Sequence, residues 1–145
     1  MFYIFLDIDG VLNKESEWNL KYHINKNCVQ ILKGIVDSII DNVSIVLTST
    51  WKNGYSKDGH HSPQISKLIS VLNEYELNIS DITPITNKGR QAEVEYYIRR
   101  HNITKYLVLD DDISLFENPK MLNLYVVNYK TGLISNDIKN IQRRL

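Results

Sequence analysis

Two aspartates, Asp7 and Asp9, stand at the end of the first apolar run, Phe2-Tyr3-Ile4-Phe5-Leu6-Asp7-Ile8-Asp9-Gly10-Val11-Leu12-Asn13. Side chains alternate between the faces of an extended chain, so both carboxylates point to one face. Two like charges that close repel unless a cation or a proton sits between them. A strand that delivers such a pair into a glycine-containing turn suits a divalent metal, a nucleophile, or both. Three further groups complete a set: the hydroxyls of Thr48 and Ser49, a cation at Lys88 or Arg90, and the cluster Asp110-Asp111-Asp112. Metal-assisted phosphoryl transfer uses all of these. Carboxylates and a backbone oxygen can hold Mg²⁺, and a hydroxyl and a cation can hold the phosphoryl oxygens. A carboxylate can attack phosphorus, and a second can protonate the leaving oxygen and then activate water.

These residues need elements to carry them to one place. Short apolar runs rich in β-branched residues alternate with helical periodicity. Phe2 to Ile8, Val43 to Thr48, Tyr106 to Leu109 and Leu122 to Val127 read as strands, and Ile82 to Thr86 as a short one interrupted by Pro84. Helices are expected from about Asn27 to Asp41, after the Ser62-Pro63 cap, and from Arg90 to His101. A last one is capped by Ser135, with Ile138, Ile141 and Leu145 inward. The alternation predicts an α/β fold, a parallel sheet with helices on both faces, in a single domain over residues 1–145. Ligands of such sheets bind at the carboxyl ends of the strands. Asp7/Asp9, Thr48/Ser49 and Asp110/Asp111 each follow a strand, so three strand ends converge on one rim.

Length and composition narrow the partners. The 145 residues suffice for one core. Seventeen basic and seventeen acidic residues cancel, so no global field favours long duplex nucleic acid. A lone cysteine, Cys28, excludes a disulfide framework and a cysteine zinc site. Met1 leads straight into a strand without a signal-peptide pattern, and no apolar run approaches the ~20 residues of a membrane span. The expectation is a cytoplasmic protein with no membrane association; no stable protein partner can be inferred.

The four motifs resemble the haloacid dehalogenase (HAD) superfamily: Phe5 to Asn13 its first, Leu47-Thr48-Ser49 its second, Lys88 or Arg90 its third, and Leu107 to Asp112 its fourth. Within it, Ser49-Thr50-Trp51-Lys52, the Arg90-Gln91-Ala92-Glu93-Val94 helix start and Thr131-Gly132-Leu133 resemble the small HAD domain associated with RNA repair (Swiss Army Knife) proteins. The resemblance implies a three-layer Rossmann-like fold and a Mg²⁺-dependent phosphatase working through an aspartyl phosphate. Asp7 would be nucleophile and metal ligand. Asp9 would be the general acid/base and give the metal a backbone carbonyl. Asp111 would be the third protein ligand, with Asp110 orienting the cation or a metal water. Thr48, or Ser49 as the close alternative, would bind a phosphoryl oxygen, and Arg90 or Lys88 would supply the positive charge.

Gly10, Ser49, Trp51 and Lys52 are candidates for substrate contact; Trp51 could stack on a base or sugar, yet a large aromatic just after a strand is more often packing. The segments Lys14–Lys26 and Trp51–Ser62 are too short for a folded cap, so the site should be open, with a minimal cap or none. An open site favours a bulky substrate, whether a nucleic-acid end, a phosphoprotein or a small molecule held loosely; the RNA-repair resemblance implies a terminal phosphate on a nucleotide or on an RNA or DNA end. Two alternatives remain: a non-catalytic phosphate- or nucleic-acid-binding module with the same fold, and a phospho-accepting signalling domain. The order of hydroxyl, cation and aspartates along the chain disfavours the second.

Overall fold

A computed structural model describes residues 1–145, the side chain of Met121 excepted. Five parallel strands form one sheet in the order β3-β2-β1-β4-β5. These are β1 (Phe2–Leu6), β2 (Val43–Leu47), β3 (Ile79–Ile82), β4 (Tyr106–Asp110) and β5 (Leu124–Val126). The helices are α1 (Lys26–Asp37), α2 (Pro63–Glu74), α3 (Arg90–Arg100) and α4 (Ser135–Gln142). The fold is thus α/β and Rossmann-like.

Alternation along the strands builds the three layers. Ile4 and Leu6 of β1, Ile45 and Leu47 of β2, and Leu107 and Leu109 of β4 face one side. There they meet Val29, Leu32 and Ile35 of α1, Leu68 and Leu72 of α2, and Ile141 of α4. Phe5, Val46 and Val108 face the other side, against Val94 and Tyr97 of α3 and Phe116. Three helices thus cover one face and α3 the other. Ile4, Phe5 and Leu6 are fully buried, as a central parallel strand covered on both faces requires. Each such side chain contributes roughly 1.5–3 kcal/mol on burial.

The ends of several elements differ from the sequence expectation for identifiable reasons. α1 stops at Asp37 rather than near Asp41, because the Ser38 N–H closes the last turn on the carbonyls of Gly34 and Ile35. Ile40 beyond it is fully exposed. β3 lies earlier, at Ile79–Ile82, since Pro84 has no N–H for the ladder. The cap of α4 is Ile134, whose N–H donates to the Asp137 carboxylate at 2.8 Å, and Ser135 is the first helical residue. Leu145 is half exposed rather than inward. The N-cap of α2 is Ser62, whose Oγ accepts from the Ile65 N–H at 3.2 Å.

Neither connection over the carboxyl ends of β1 and β2 builds a cap. Among the described residues, 7–25 contain one 3₁₀ turn, Glu15–Glu17, and 48–62 contain another, Thr50–Gly54. Among the described residues, no helix is long and apolar enough to cross a membrane.

Candidate active site

The three central strands set the heights of the site residues. Leu6 pairs with Leu47 on one side and Leu109 on the other. Asp7 and Thr48, which follow β1 and β2, and Asp110, the last residue of β4, therefore stand at one level. The Asp7 N–H still donates to the Leu109 carbonyl at 3.0 Å, and the Thr48 N–H to the Leu6 carbonyl at 2.9 Å. Beyond them the chain turns away and opens a cavity of about 370 Å³. Asp7 and Asp9 line it from β1, Ser49 and Thr50 from β2, Asp111 and Asp112 from β4, and Arg90 from the start of α3. Trp18 and Leu115 form its outer wall.

Three carboxylates crowd together here. One oxygen each of Asp7, Asp110 and Asp111 lies within 4.8 Å of the others. Arg90 partly offsets their charge: its Nη1 is 2.7 Å from Asp110 Oδ2 and 3.2 Å from Asp7 Oδ1. Burial, then the nearby Asp110 charge, hold the Asp7 carboxyl well above the usual carboxylate range despite Arg90. Burial also raises the Asp111 carboxyl above its ordinary value, with the Asp110 charge adding to it. Burial works against the Arg90 charge, yet Asp7 and Asp110 outweigh it and raise the guanidinium above its ordinary value. Carboxylates this close relieve their repulsion only by taking up a proton or a cation. A hard divalent cation would do this better, and an all-oxygen donor set suits Mg²⁺. Both Asp110 oxygens are engaged, Oδ2 with Arg90 at 2.7 Å and Oδ1 with the Asp112 N–H at 3.0 Å, whereas Asp7 meets Arg90 through Oδ1 alone at 3.2 Å, which leaves Asp7 and Asp111 as the side chains best able to hold such an ion.

Gly10 makes this crowding possible. Its φ of +83° is a left-handed conformation, and a Cβ there would overlap the Asp111 carboxylate. Asp9, by contrast, is exposed, and its two oxygens are held apart from the cluster. Oδ1 accepts from Asn13 Nδ2 at 2.9 Å and Oδ2 from Trp51 Nε1 at 3.1 Å. Asn13 is almost fully buried and uses its whole amide. Nδ2 also donates to the His23 carbonyl, while Oδ1 accepts from the Gly10 N–H and Trp18 Nε1, both at 2.9 Å.

The remaining candidates divide. Ser49 lines the cavity and its Oγ accepts from the Trp51 N–H at 3.2 Å, which leaves its hydroxyl proton for an acceptor in the cavity. Thr48 is buried, and its Oγ1 has no hydrogen-bond partner among the described residues. Lys88 is exposed and lines a neighbouring cavity of about 700 Å³ beside α3, so Arg90 is the cation at the carboxylates. Two candidates for substrate contact turn inward. The Trp51 ring is 5 % exposed and its indole N–H is engaged with Asp9. Lys52 is 4 % exposed, and its Nζ donates to Glu93 at 2.8 Å, Thr83 at 3.0 Å and the Pro84 carbonyl at 2.9 Å. Its ammonium is thus taken up by the segment after β3 and the first turn of α3, and Lys52 does not line the cavity.

Sequence reasoning passed over Asn13, Trp18, Thr50 and Glu93. Glu93 had a signal, an acid one turn into α3 whose partner is 41 residues away in the Lys52 turn. Asn13 had its place as the last residue of the first motif, and Trp18 had no signal beyond its nearness to it.

The family model described as HAD domain in Swiss Army Knife RNA repair proteins matches residues 3–138. No match is found among the curated proteins or among the solved structures.

Proposed function

The chain belongs to the family of HAD domains in Swiss Army Knife RNA repair proteins, and from that premise we propose that it is a Mg²⁺-dependent phosphomonoester hydrolase acting on the terminal phosphate of a nucleotide or polynucleotide. The observation that carries this reading is the convergence of Asp7, Asp9, Ser49, Arg90 and Asp111 on one open cavity.

Each residue has a role that its position supports. Asp7 attacks phosphorus through a carboxylate oxygen and forms an aspartyl phosphate. Asp9 stands clear of the metal-binding carboxylates, with its orientation set by Asn13 and Trp51. It gives a proton to the leaving oxygen, then takes one from the water that cleaves the acyl phosphate. Ser49 and Arg90 hold phosphoryl oxygens, and Arg90 offsets charge as the anionic phosphate meets the anionic nucleophile. Mg²⁺, held by Asp7, Asp111 and the Asp9 carbonyl, would supply the remaining positive charge. Asp110 positions Arg90 through the 2.7 Å contact.

The test is hydrolysis of p-nitrophenyl phosphate by wild type and Asp7→Asn, each with Mg²⁺ and with EDTA, followed by 3′- and 5′-phosphorylated oligonucleotides. Turnover is expected only in wild type with Mg²⁺, and faster on oligonucleotides than on the aryl ester. Turnover that survives Asp7→Asn would refute the nucleophile; equal rates on both substrates would refute the substrate class.

A further inference from the structure

Trp18 is a large apolar ring left 46 % exposed at the mouth of the phosphoryl cavity. Its other side borders a smaller cavity of about 200 Å³, and Asp9 also lines both. The ring is held in place. Its Nε1 donates to Asn13 Oδ1 at 2.9 Å, so the polar edge is engaged with protein and the apolar faces remain. The Tyr129 ring lies 6.1 Å away at a tilt of 31°, in a segment fixed to the Trp18 turn by the Glu15 N–H to Tyr129 carbonyl bond of 2.9 Å. A flat apolar surface that is already immobilised costs little conformational entropy when a second ring stacks on it.

We propose that Trp18 is the platform on which the terminal, unpaired base of a phosphorylated strand stacks while its phosphate occupies the Asp7 cavity. This rests on the reading of that cavity as a phosphatase site for nucleic-acid ends. With a net charge of zero, the chain lacks the basic field that would hold a long backbone, so affinity must come from the end itself. Every base offers a π-face, so stacking tolerates any terminal sequence. An unpaired base turns to meet the ring without the cost of opening a base pair while its phosphate enters the cavity. Asn13 bonds both the Trp18 indole and Asp9, which makes Trp18 in addition a positioning residue for the proton donor.

The test compares two single-stranded oligonucleotides with the same terminal phosphate, 3′ or 5′, one carrying a base on the last nucleotide and one abasic there. The expected ratio of kcat/KM in wild type is roughly 5- to 150-fold in favour of the base. It should collapse to about one in Trp18→Ala and be retained in part in Trp18→Phe. A wild-type ratio near one would overturn the proposal. So would an equal loss on both substrates in Trp18→Ala, the mark of a merely structural ring. A phosphotyrosine peptide preferred over the base-bearing strand would also overturn it.

Binding keeps this separate from the hydrolase reading. In Asp7→Asn, the base-bearing strand should quench indole emission and the abasic strand should not, and the quench should vanish when Trp18→Phe is added. That result supports the platform even if wild type releases no phosphate. Absence of quenching overturns it.

Discussion

The Lys52 ammonium and the Glu93 carboxylate, 2.8 Å apart and both nearly buried, join the turn that follows β2 to the first turn of α3. These two segments carry Ser49 and Arg90, so one internal ion pair fixes the hydroxyl side of the site to its cation. Glu93 also accepts from the Thr86 N–H at 2.7 Å, which holds the loop leading into α3.

Breaking that pair leaves a buried charge without a partner. Lys52→Met or Glu93→Gln is expected to cost about 3–5 kcal/mol, whereas the double replacement should recover much of it. Urea denaturation of the three variants checks this. If the single variants lost less than about 1 kcal/mol, the pair would be dispensable.

Asp7→Asn is expected to abolish turnover, by at least about 10³-fold, and to raise the metal-free melting temperature by about 2–5 °C. The sign follows from the raised Asp7 carboxyl. A group whose folded value lies above its unfolded one contributes stability below the unfolded value, near 4, and loses it as pH rises through the folded value. The advantage of Asn over Asp should therefore grow from pH 4 to 7 in EDTA and shrink when Mg²⁺ is added. Thermal melts across that range read it directly.

Arg90→Met should leave Asp7 and Asp110 without their cation, lowering activity by about 10²-fold or more and lowering metal-free stability. The same change should enlarge the melting-temperature gain produced by Mg²⁺, since the ion then meets uncompensated carboxylates. A smaller gain than in wild type would show that Arg90 orders the metal ligands rather than competing with the metal.

Gly10→Ala places a methyl group on the Asp111 carboxylate and forces an L-residue to φ +83°. It should reduce stability by about 1–3 kcal/mol and weaken Mg²⁺ binding together with activity. Calorimetric titration with Mg²⁺ separates the two effects, because Gly59→Ala, also at positive φ but with open space around it, should cost only the strain.

Burial pushes the Cys28 thiol up to about 11. Alkylation by iodoacetamide at pH 8 should be far slower than for an unfolded control, because almost no thiolate is present. Rapid labelling of folded protein would show that α1 opens locally.

The sequence made the strands legible because a central parallel strand is apolar on both faces, and β1, β2 and β4 obey this. It made the carboxylates legible because Asp7, Asp9 and Asp110 to Asp112 directly follow such runs. Side-chain direction after a strand end was not legible. Period-two alternation ceases at Thr48, and nothing in Thr48-Ser49-Thr50-Trp51-Lys52 says that Ser49 and Thr50 turn to the cavity while Thr48, Trp51 and Lys52 turn inward. The choice between Lys88 and Arg90 was undecided for a like reason. It depends on where α3 begins, and Gly89, at φ +99°, places Arg90 at the first helical position. The Asn13 network lay beyond reach because two of its partners, the His23 carbonyl and the Trp18 indole, meet Asp9 and Gly10 of the first motif only in the fold.

The backbone amide of Asp7, the nucleophile we propose, belongs to the ladder of the middle strand and donates to the Leu109 carbonyl. Asp7 therefore cannot shift without unzipping the sheet, and its backbone hydrogen should exchange only when the whole protein unfolds. In the proposed hydrolase, adaptation to different leaving groups falls instead to the connections that carry Trp18 and Leu115, where side chains can change while the Asp7 carboxylate stays in register.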